Sequence, residues 1–574
     1  MKTRILCLLL VLAMLLGVCG MLASCGGGGE DENKPVNKED LPKDDQNVSK
    51  YYEYTWSTKT LNVELTENTC VGELISRVGR YLSGRDAGDD NLDELIKTRN
   101  DNATKVARVI PNYSYLPDIS QYTWAANISR IAKETTSYSA KSPDIYVNFI
   151  FDMVGASLQG AFANLRSVNM YDAKGINYFT FTEEGYDAAK DDKGYMYDLM
   201  NSLSFSTKKM YVLASDYLTD VVRAFFVVPV NIAMINSIDP SVVPDYNYDD
   251  DDKFDTEDFF NIIWNYDWNY SAVKSLSAAV AKQEGETADP KNDTYGFMLG
   301  TGSGIHGVGI LYGTDVTVIK RQLNPVTGFY EVSYPDTCET YANFVESLAS
   351  LFSSEGVGVM PGNAGPNENT TSAFFMRQSF KSGKLLFGGV ICAGNLEHTD
   401  YQSMNAQSQG FGVAPVPMYR EYDPAIDIDE NNVNRYYRTA SHNIAKCAAI
   451  SVSTPNFRQC SAWLDYQSTH SSEILTEYYD TELQYATAGR VPHNVAVLAM
   501  LRQNVSTALD KCYDDAIYVY DFKGKAGAED KRWCYLIRKY SYVMDDVRTQ
   551  YTNASDLKEE SLQKIYQKYA ALPE

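Results

Sequence analysis

Positive charge is in short supply. The chain sets 51 lysines and arginines against 75 aspartates and glutamates, a formal net charge of −24, and no basic patch relieves the deficit. Such a chain repels phosphates, which makes nucleic acid and anionic lipid poor partners and leaves neutral ligands or cations. Histidine is scarcer still. The five, His306, His398, His442, His470 and His493, are scattered and read as structural. No G-x-S-x-G elbow, H-E-x-x-H pair, Walker loop or C-x-x-C pair occurs, so no catalytic signature, metal set or cofactor site is recognisable. Carboxylates are so numerous that a glycosidase pair, which is defined by a separation in space, stays open.

Cysteine is sparse for this length. Of ten, Cys7 and Cys19 lie in the leader and Cys25 closes it; Cys70, Cys338, Cys392, Cys447, Cys460, Cys512 and Cys534 remain. An odd count, a large chain and no metal spacing speak against the disulfide framework of small secreted domains. Buried free thiols are expected, as at Cys392 in Val390-Ile391-Cys392-Ala393.

Long apolar runs are missing too, except at the start. Lys2 and Arg4 precede an apolar run from Ile5 to Leu16, which ends in Leu22-Ala23-Ser24-Cys25. A positive start, a short apolar core and small residues mark a secretory signal, and the run is short for a membrane span. The Leu-Ala-Ser-Cys close resembles a bacterial lipobox, in which the Cys thiol is acylated and the peptide before it removed. That resemblance implies a signal peptide at 1–24, lipidation at Cys25, and a chain anchored to the outer face of the cell membrane without crossing it. Residues 25–55, rich in Gly and charge, read as a tether.

The chain as a whole is globular in composition: 44% hydrophobic and 12% aromatic, with 43 tyrosines, which excludes disorder over most of its length. The length suits three or four average domains or two large ones. Leu61 to Leu65 alternates as a strand, and Val71, Leu74, Ile75, Val78 and Leu82 come next at helical spacing. Asp144 to Val147 reads as a strand leading into a helix-like run to Leu165. Tyr211–Ala214, Phe225–Val230, Tyr295–Leu299, Phe411–Ala414 and Ala448–Val452 read as further strands. Tyr341 to Leu351, Trp463 to Tyr485, Val497 to Leu509 and the last forty residues read as helices. Alternating strands and helices predict an α/β chain with largely parallel sheets. No internal repeat is found. The acidic stretch Asp245 to Asp258 reads as a solvated loop. Asp427 to Arg438 fails as a calcium loop, with Asn432 where Gly belongs and Arg438 where Glu belongs. Gly302-Ser303-Gly304-Ile305-His306-Gly307 matches G-x-G-x-x-G but lies mid-chain, and reads as a strand-ending loop.

Several blocks, in order, carry a likeness. Ser142-Pro143-Asp144-Ile145-Tyr146-Val147 leads to Gly160 through Leu165; Val228-Pro229-Val230-Asn231, Tyr266 through Tyr270 and Tyr295-Gly296-Phe297 come after it. Phe380 through Phe387 and Gly412-Val413-Ala414-Pro415-Val416-Pro417 complete the set. Together they resemble family 1 extracellular solute-binding proteins, the lipid-anchored receptors of carbohydrate ABC importers. The chain departs by many insertions and by lacking a Trp after Phe387, where Ile391 to Glu397 stands instead.

The resemblance implies a two-lobed periplasmic-binding-protein-like α/β fold, with hinge strands and ligand held in the cleft between lobes. The first lobe would take mainly 56–220, the second mainly 221–440, and 441–574 would return to the first and end in helices. It implies a monomer that binds a carbohydrate without turnover and without cofactor or metal, and passes it to permease subunits. A surface glycosidase and a sensor or adhesin without transport are the alternatives. Ligand contacts are expected at strand ends: Glu67 and Asn68, then Asn148, Phe151 and Asp152, then Asp216. From the second lobe come Thr301, Ser303 and His306, with Asn395 and Glu397.

Overall fold

The computed structural model describes residues 56–66, 77–116, 124–167, 177–186, 194–248, 252–300, 309–336, 338–360, 372–405, 410–429, 432–440, 445–483, 491–506 and 547–573, apart from 86, 87, 89, 184, 185, 312 and 315, and adds Glu39, Lys43 and Asp45. β1 (Lys59–Thr66) buries Leu61, Val63 and Leu65 on one face, as alternation requires. It runs parallel to β2 (Val109–Leu116) on one side and β3 (Ile145–Phe149) on the other. The crossovers are the helices Asn91–Ala107 and Trp124–Thr136. The first starts on Asp90, whose carboxylate accepts from the Asp93 N–H at 2.9 Å.

β3 enters the helix Ile150–Ser157 with no loop between. The helix stops well short of Leu165, where the apolar run suggests it should end. Gly160 takes φ +74°, a left-handed turn open to glycine at little cost. The 211–214 segment, expected as a strand, joins the first sheet through one bridge, Leu213 to Ala448.

After the short helix Asp220–Arg223, β4 (Phe226–Asn231) carries the chain into a second sheet. Next come β5 (Tyr295–Gly300), the hairpin β6 (Lys320–Asn324) and β7 (Phe329–Ser333), β8 (Val357–Met360), β9 (Leu385–Phe387), β10 (Ile391–Cys392) and β11 (Phe411–Ala414). The order is β10-β4-β9-β5-β8, with β11 also on β4. β5 is parallel to β8 and β9, while β4 is antiparallel to β9, β10 and β11. This sheet is therefore mixed rather than largely parallel, because β4 arrives from the other lobe and not from a crossover within its own. β12 (Thr439–Ala440) precedes the return, and β13 (Lys446–Ile450) lies antiparallel to β3 in the first sheet; β14 (Val505–Ser506) pairs with β12. The result is two α/β lobes between which the chain passes repeatedly: after the return at β13, the helix His493–Gln503 packs on β11, where Asn494 accepts from the Val413 N–H at 2.7 Å. Thr439 stitches them: its hydroxyl accepts from the Phe226 N–H at 3.0 Å and donates to the Phe226 carbonyl at 3.1 Å.

The second lobe is organised around Trp268, which is fully buried against Phe259 and Phe387 and donates to the Pro415 carbonyl at 2.8 Å. Asn269 beside it caps the helix Tyr270–Val280. A Cβ at Gly296 would fall 2.2 Å from the Ser277 Cα, so only glycine lets that helix lie on β5.

Among the described residues, several elements touch both lobes. The hairpin β6–β7 belongs to the second lobe by chain position, yet Arg321 donates to the Ser204 carbonyl at 2.7 Å and the Tyr330 N–H to the Phe205 carbonyl at 2.9 Å. The helix Val547–Ala570 holds the second lobe at its start, where Arg548 pairs with Glu339 (2.9 Å) and Glu346. It holds the first at its end, where Tyr569 bonds Ser204 at 2.7 Å and Lys209 donates to the Ala570 carbonyl at 2.9 Å. At the N-terminal side, Asp45 is seated on the first lobe. It accepts from Tyr466 (2.7 Å) and pairs with His470 (2.8 Å), whose ring stacks on Tyr466.

The run from Trp463 to Tyr485, expected as one helix, is broken near His470 into Phe457–Thr469 and Ser472–Glu477. Cys392, Cys447 and Cys460 are buried free thiols and Cys338 is half-buried. Asp255 and Asp258 form a capping box for the helix Thr256–Trp264. Asp427 and Asp429 are held by Arg420 and Arg435, so those carboxylates have structural partners. Among the described residues no helix is long and apolar enough to cross a membrane.

Candidate functional site

The even-numbered residues of β1 and β3 face the helix Trp124–Thr136. Glu64 accepts both guanidinium nitrogens of Arg130 (2.7 and 2.9 Å), and the Tyr146 hydroxyl donates to Glu134 at 3.3 Å. Two residues further along each strand, on the same face, come Thr66 and Asn148. Extending the β1–β3 register one step sets them side by side. Asn127, one turn before Arg130, donates to Asp152 Oδ2 at 2.5 Å, and its own oxygen accepts from Arg130 at 3.0 Å. Asp152 sits in the first turn of the helix Ile150–Ser157.

Thr66, Asn127, Asn148 and Asp152 are all fully buried. Yet among the described residues Thr66 Oγ1, Asn148 Nδ2 and Asp152 Oδ1 find no hydrogen-bond partner. Each such atom costs roughly 1–3 kcal/mol, and folded proteins rarely leave several together. Burial pushes the Asp152 carboxyl up to about 7, and Asn127 and Arg130 pull it back only in part. Two donors or acceptors and one acid, side by side at strand ends, have the chemistry to hold a polar, uncharged group.

A second polar cluster lies where the chain first crosses between lobes. Glu397 accepts from Arg223 Nε (2.7 Å) and Nη2 (2.8 Å), from Tyr478 (2.8 Å) and from Arg77 (3.4 Å). Arg223 also pairs with Asp220 at 2.8 Å, and Lys446 reaches Asp220 at 3.5 Å. Burial raises the Glu397 carboxyl, but Arg223, Arg77 and the Tyr478 hydroxyl outweigh it and hold it below the usual value. Asp216, likewise buried, is gripped by Arg502.

A cavity of about 660 Å³ opens elsewhere, between the helix Asn91–Ala107 and β2. Several of its polar groups are engaged: Asp90 and Asp93 pair with Arg80, and Asn100 donates to the Tyr81 and Leu82 carbonyls.

Of the residues expected at the site, Asn148 and Asp152 come together. Neither lies on a loop: Asn148 is in β3 and Asp152 in the helix after it. Phe151 is buried in the core of the same helix, 3% exposed, and Asn395 is buried in the 3-10 turn Ala393–Glu397. Asp216 and Glu397 are committed to arginines. Glu67, Asn68, Thr301, Ser303, His306 and Cys25 lie outside the described residues. Thr66 and Asn127 are additions that the sequence does not single out. The sequence signal for Asn127 is its place at the start of an amphipathic helix containing Ile128 and Ile131, both buried. Among the described residues no group of three His, Cys, Asp or Glu is placed to hold a metal.

No family model matches the chain, and no curated protein matches it. Solved structures resemble it at low identity. The GacH receptor of Streptomyces glaucescens, solved with acarbose, is 12% identical, with 89% of this chain and 99% of that one covered, at a TM-score of 0.43. The maltose-binding protein MalE of Listeria monocytogenes, with maltose, is 13% identical, covering 88% and 98%, at 0.44. The galacto-N-biose/lacto-N-biose-binding protein of Bifidobacterium longum is 12% identical, covering 89% and 98%, at 0.42.

Proposed function

We propose that the chain is an extracellular solute-binding lipoprotein that captures a sugar or oligosaccharide and hands it to an ABC permease. The observation that carries this reading is the strand-end cluster, where, among the described residues, Thr66, Asn148 and Asp152 hold three buried polar atoms without partners. Open α/β sheets bind ligands beyond the carboxyl ends of their strands. Sugar hydroxyls both donate and accept, which suits this mixture of hydroxyl, amide and acid. The ordered sequence blocks supply the carbohydrate class, and the lipobox-like tetrad the anchor. The glycosidase alternative needs two carboxylates facing a sugar; Asp216 and Glu397 are both engaged by arginines, which favours binding without turnover.

Thermal-shift screening tests it, beginning with maltose, acarbose and lacto-N-biose. A ligand at 100 times its Kd adds about 2.7 kcal/mol to stability and returns unchanged from the complex. A panel that shifts nothing, or release of reducing ends by purified protein, counts against the reading. For the anchor, Cys25→Ala is expected to leave the protein without acyl mass and move it from the membrane to the soluble fraction, read by mass spectrometry after fractionation.

A further inference from the structure

We infer that the strand-end cluster takes its neutral polyhydroxy ligand with release of a proton from Asp152, so that capture is tighter above neutral pH than below it. The inference rests on the proposed ligand-binding role. Among the described residues Asp152 makes no ion pair. Its Oδ2 accepts from Asn127, and its Oδ1 faces no described donor although the residue is fully buried.

Among the described residues, the buried and half-buried charged groups on the elements around its helix have partners, while Lys133 of the helix Trp124–Thr136 is exposed and Cys447 of β13, opposite Asn148, is a buried thiol. The helix Trp124–Thr136 brings Arg130 and Glu134, and Arg130 is clasped by Glu64 of β1 and by Glu134. Tyr146 of β3 donates to Glu134. Lys446 of β13 lies over the Phe149 ring and pairs with Asp220. Neither Arg130 nor Lys446 is free to neutralise a carboxylate at Asp152, so without ligand the carboxyl stays protonated to about neutrality.

A ligand hydroxyl that donates to Oδ1 supplies the hydrogen bond that only the charged form wants, and that lowers the carboxyl's pKa. The carboxyl proton leaves to solvent, and the hydroxyl keeps its own hydrogen. Linkage then makes affinity fall as pH falls, about tenfold for each pH unit below the ligand-free pKa.

Calorimetry with maltose, acarbose and lacto-N-biose, at about pH 6 and pH 8 in buffers of differing ionisation enthalpy, tests this. Infrared titration of the sugar-free protein runs beside it. For a sugar that binds, the expected result is about tenfold weaker binding at the lower pH with proton release, both lost in Asp152→Asn. The infrared spectrum is expected to show a protonated-acid band that vanishes between those pH values and is missing from Asp152→Asn. Binding of equal strength at both pH values, or no acid band at the lower one, overturns the proton release. If no sugar binds while the acid band titrates as described, it is the carbohydrate reading that falls, and the polyhydroxy ligand with it.

Discussion

Asp152 places a carboxyl in a fully buried position where Asn127 and Arg130 compensate it only in part, and its folded-state consequence can be read apart from any ligand. Its pKa is raised to about 7 from an unfolded value near 3.8. A carboxyl shifted upward favours the folded state most below the unfolded pKa, and loses that contribution as pH rises to the folded pKa. The window is therefore about pH 4 to 7, and the loss across it is on the order of 4 kcal/mol. Asp152→Asn stays neutral and is expected to flatten this dependence, making the variant the more stable protein above pH 7. Urea denaturation at several pH values checks it, and parallel profiles for the two proteins would refute it. Asn148 and Asp152 were legible because a Pro-Asp strand leading into a helix advertises its own end. Thr66 and Asn127 were not, since hydroxyl and amide side chains serve caps and turns everywhere; only the sheet register sets Thr66 beside Asn148, and only helix packing sets Asn127 against Asp152.

Among elements, those with strong periodicity were readable: β1, β4, β5, β11 and the helix Glu339–Phe352 all lie close to where alternation or helical spacing put them. The failures have physical causes. The apolar run to Leu165 looked helical because burial on all sides erases periodicity, and Gly160 ends the helix early. The helix beyond Trp463 breaks near His470, where the ring accepts or donates locally to Thr469 and Tyr466. Glu397 looked like a ligand contact because spacing shows a carboxylate but not its partner. In the fold it is the acceptor on which Arg223, Arg77 and Tyr478 converge from the other side of the crossing. Glu397→Gln leaves Arg223 buried with half its compensation, and is expected to cost about 3 kcal/mol near neutral pH. Because the Glu397 pKa is lowered, its contribution exists above the usual glutamate value of about 4.3 and fades as pH falls through and below it. Chemical denaturation at pH 7 and near pH 4 is expected to show the gap between variant and parent narrowing at the acid end.

At the scale of the molecule, the two-lobe arrangement was legible from the order of blocks, whereas the elements tying the lobes together were not, because contacts between distant segments leave no local pattern. The helix Val547–Ala570 buries Tyr551, Leu562, Ile565 and Tyr569 while gripping both lobes. Truncation before Val547 is expected to lower the melting temperature and widen the solution envelope, measured by calorimetry and small-angle scattering; an unchanged envelope would show that the helix does not restrain the lobes. Asp45 bears on how the protein sits over a membrane. Through His470 and Tyr466 it is clamped to the first lobe, and twenty positions separate it from Cys25. On the proposed anchor, those residues can reach no more than about 70 Å at full stretch. With that anchor, the leash would end at a fixed point on one lobe, keeping that lobe within this distance of the bilayer and limiting how far the protein could swing from the proposed permease.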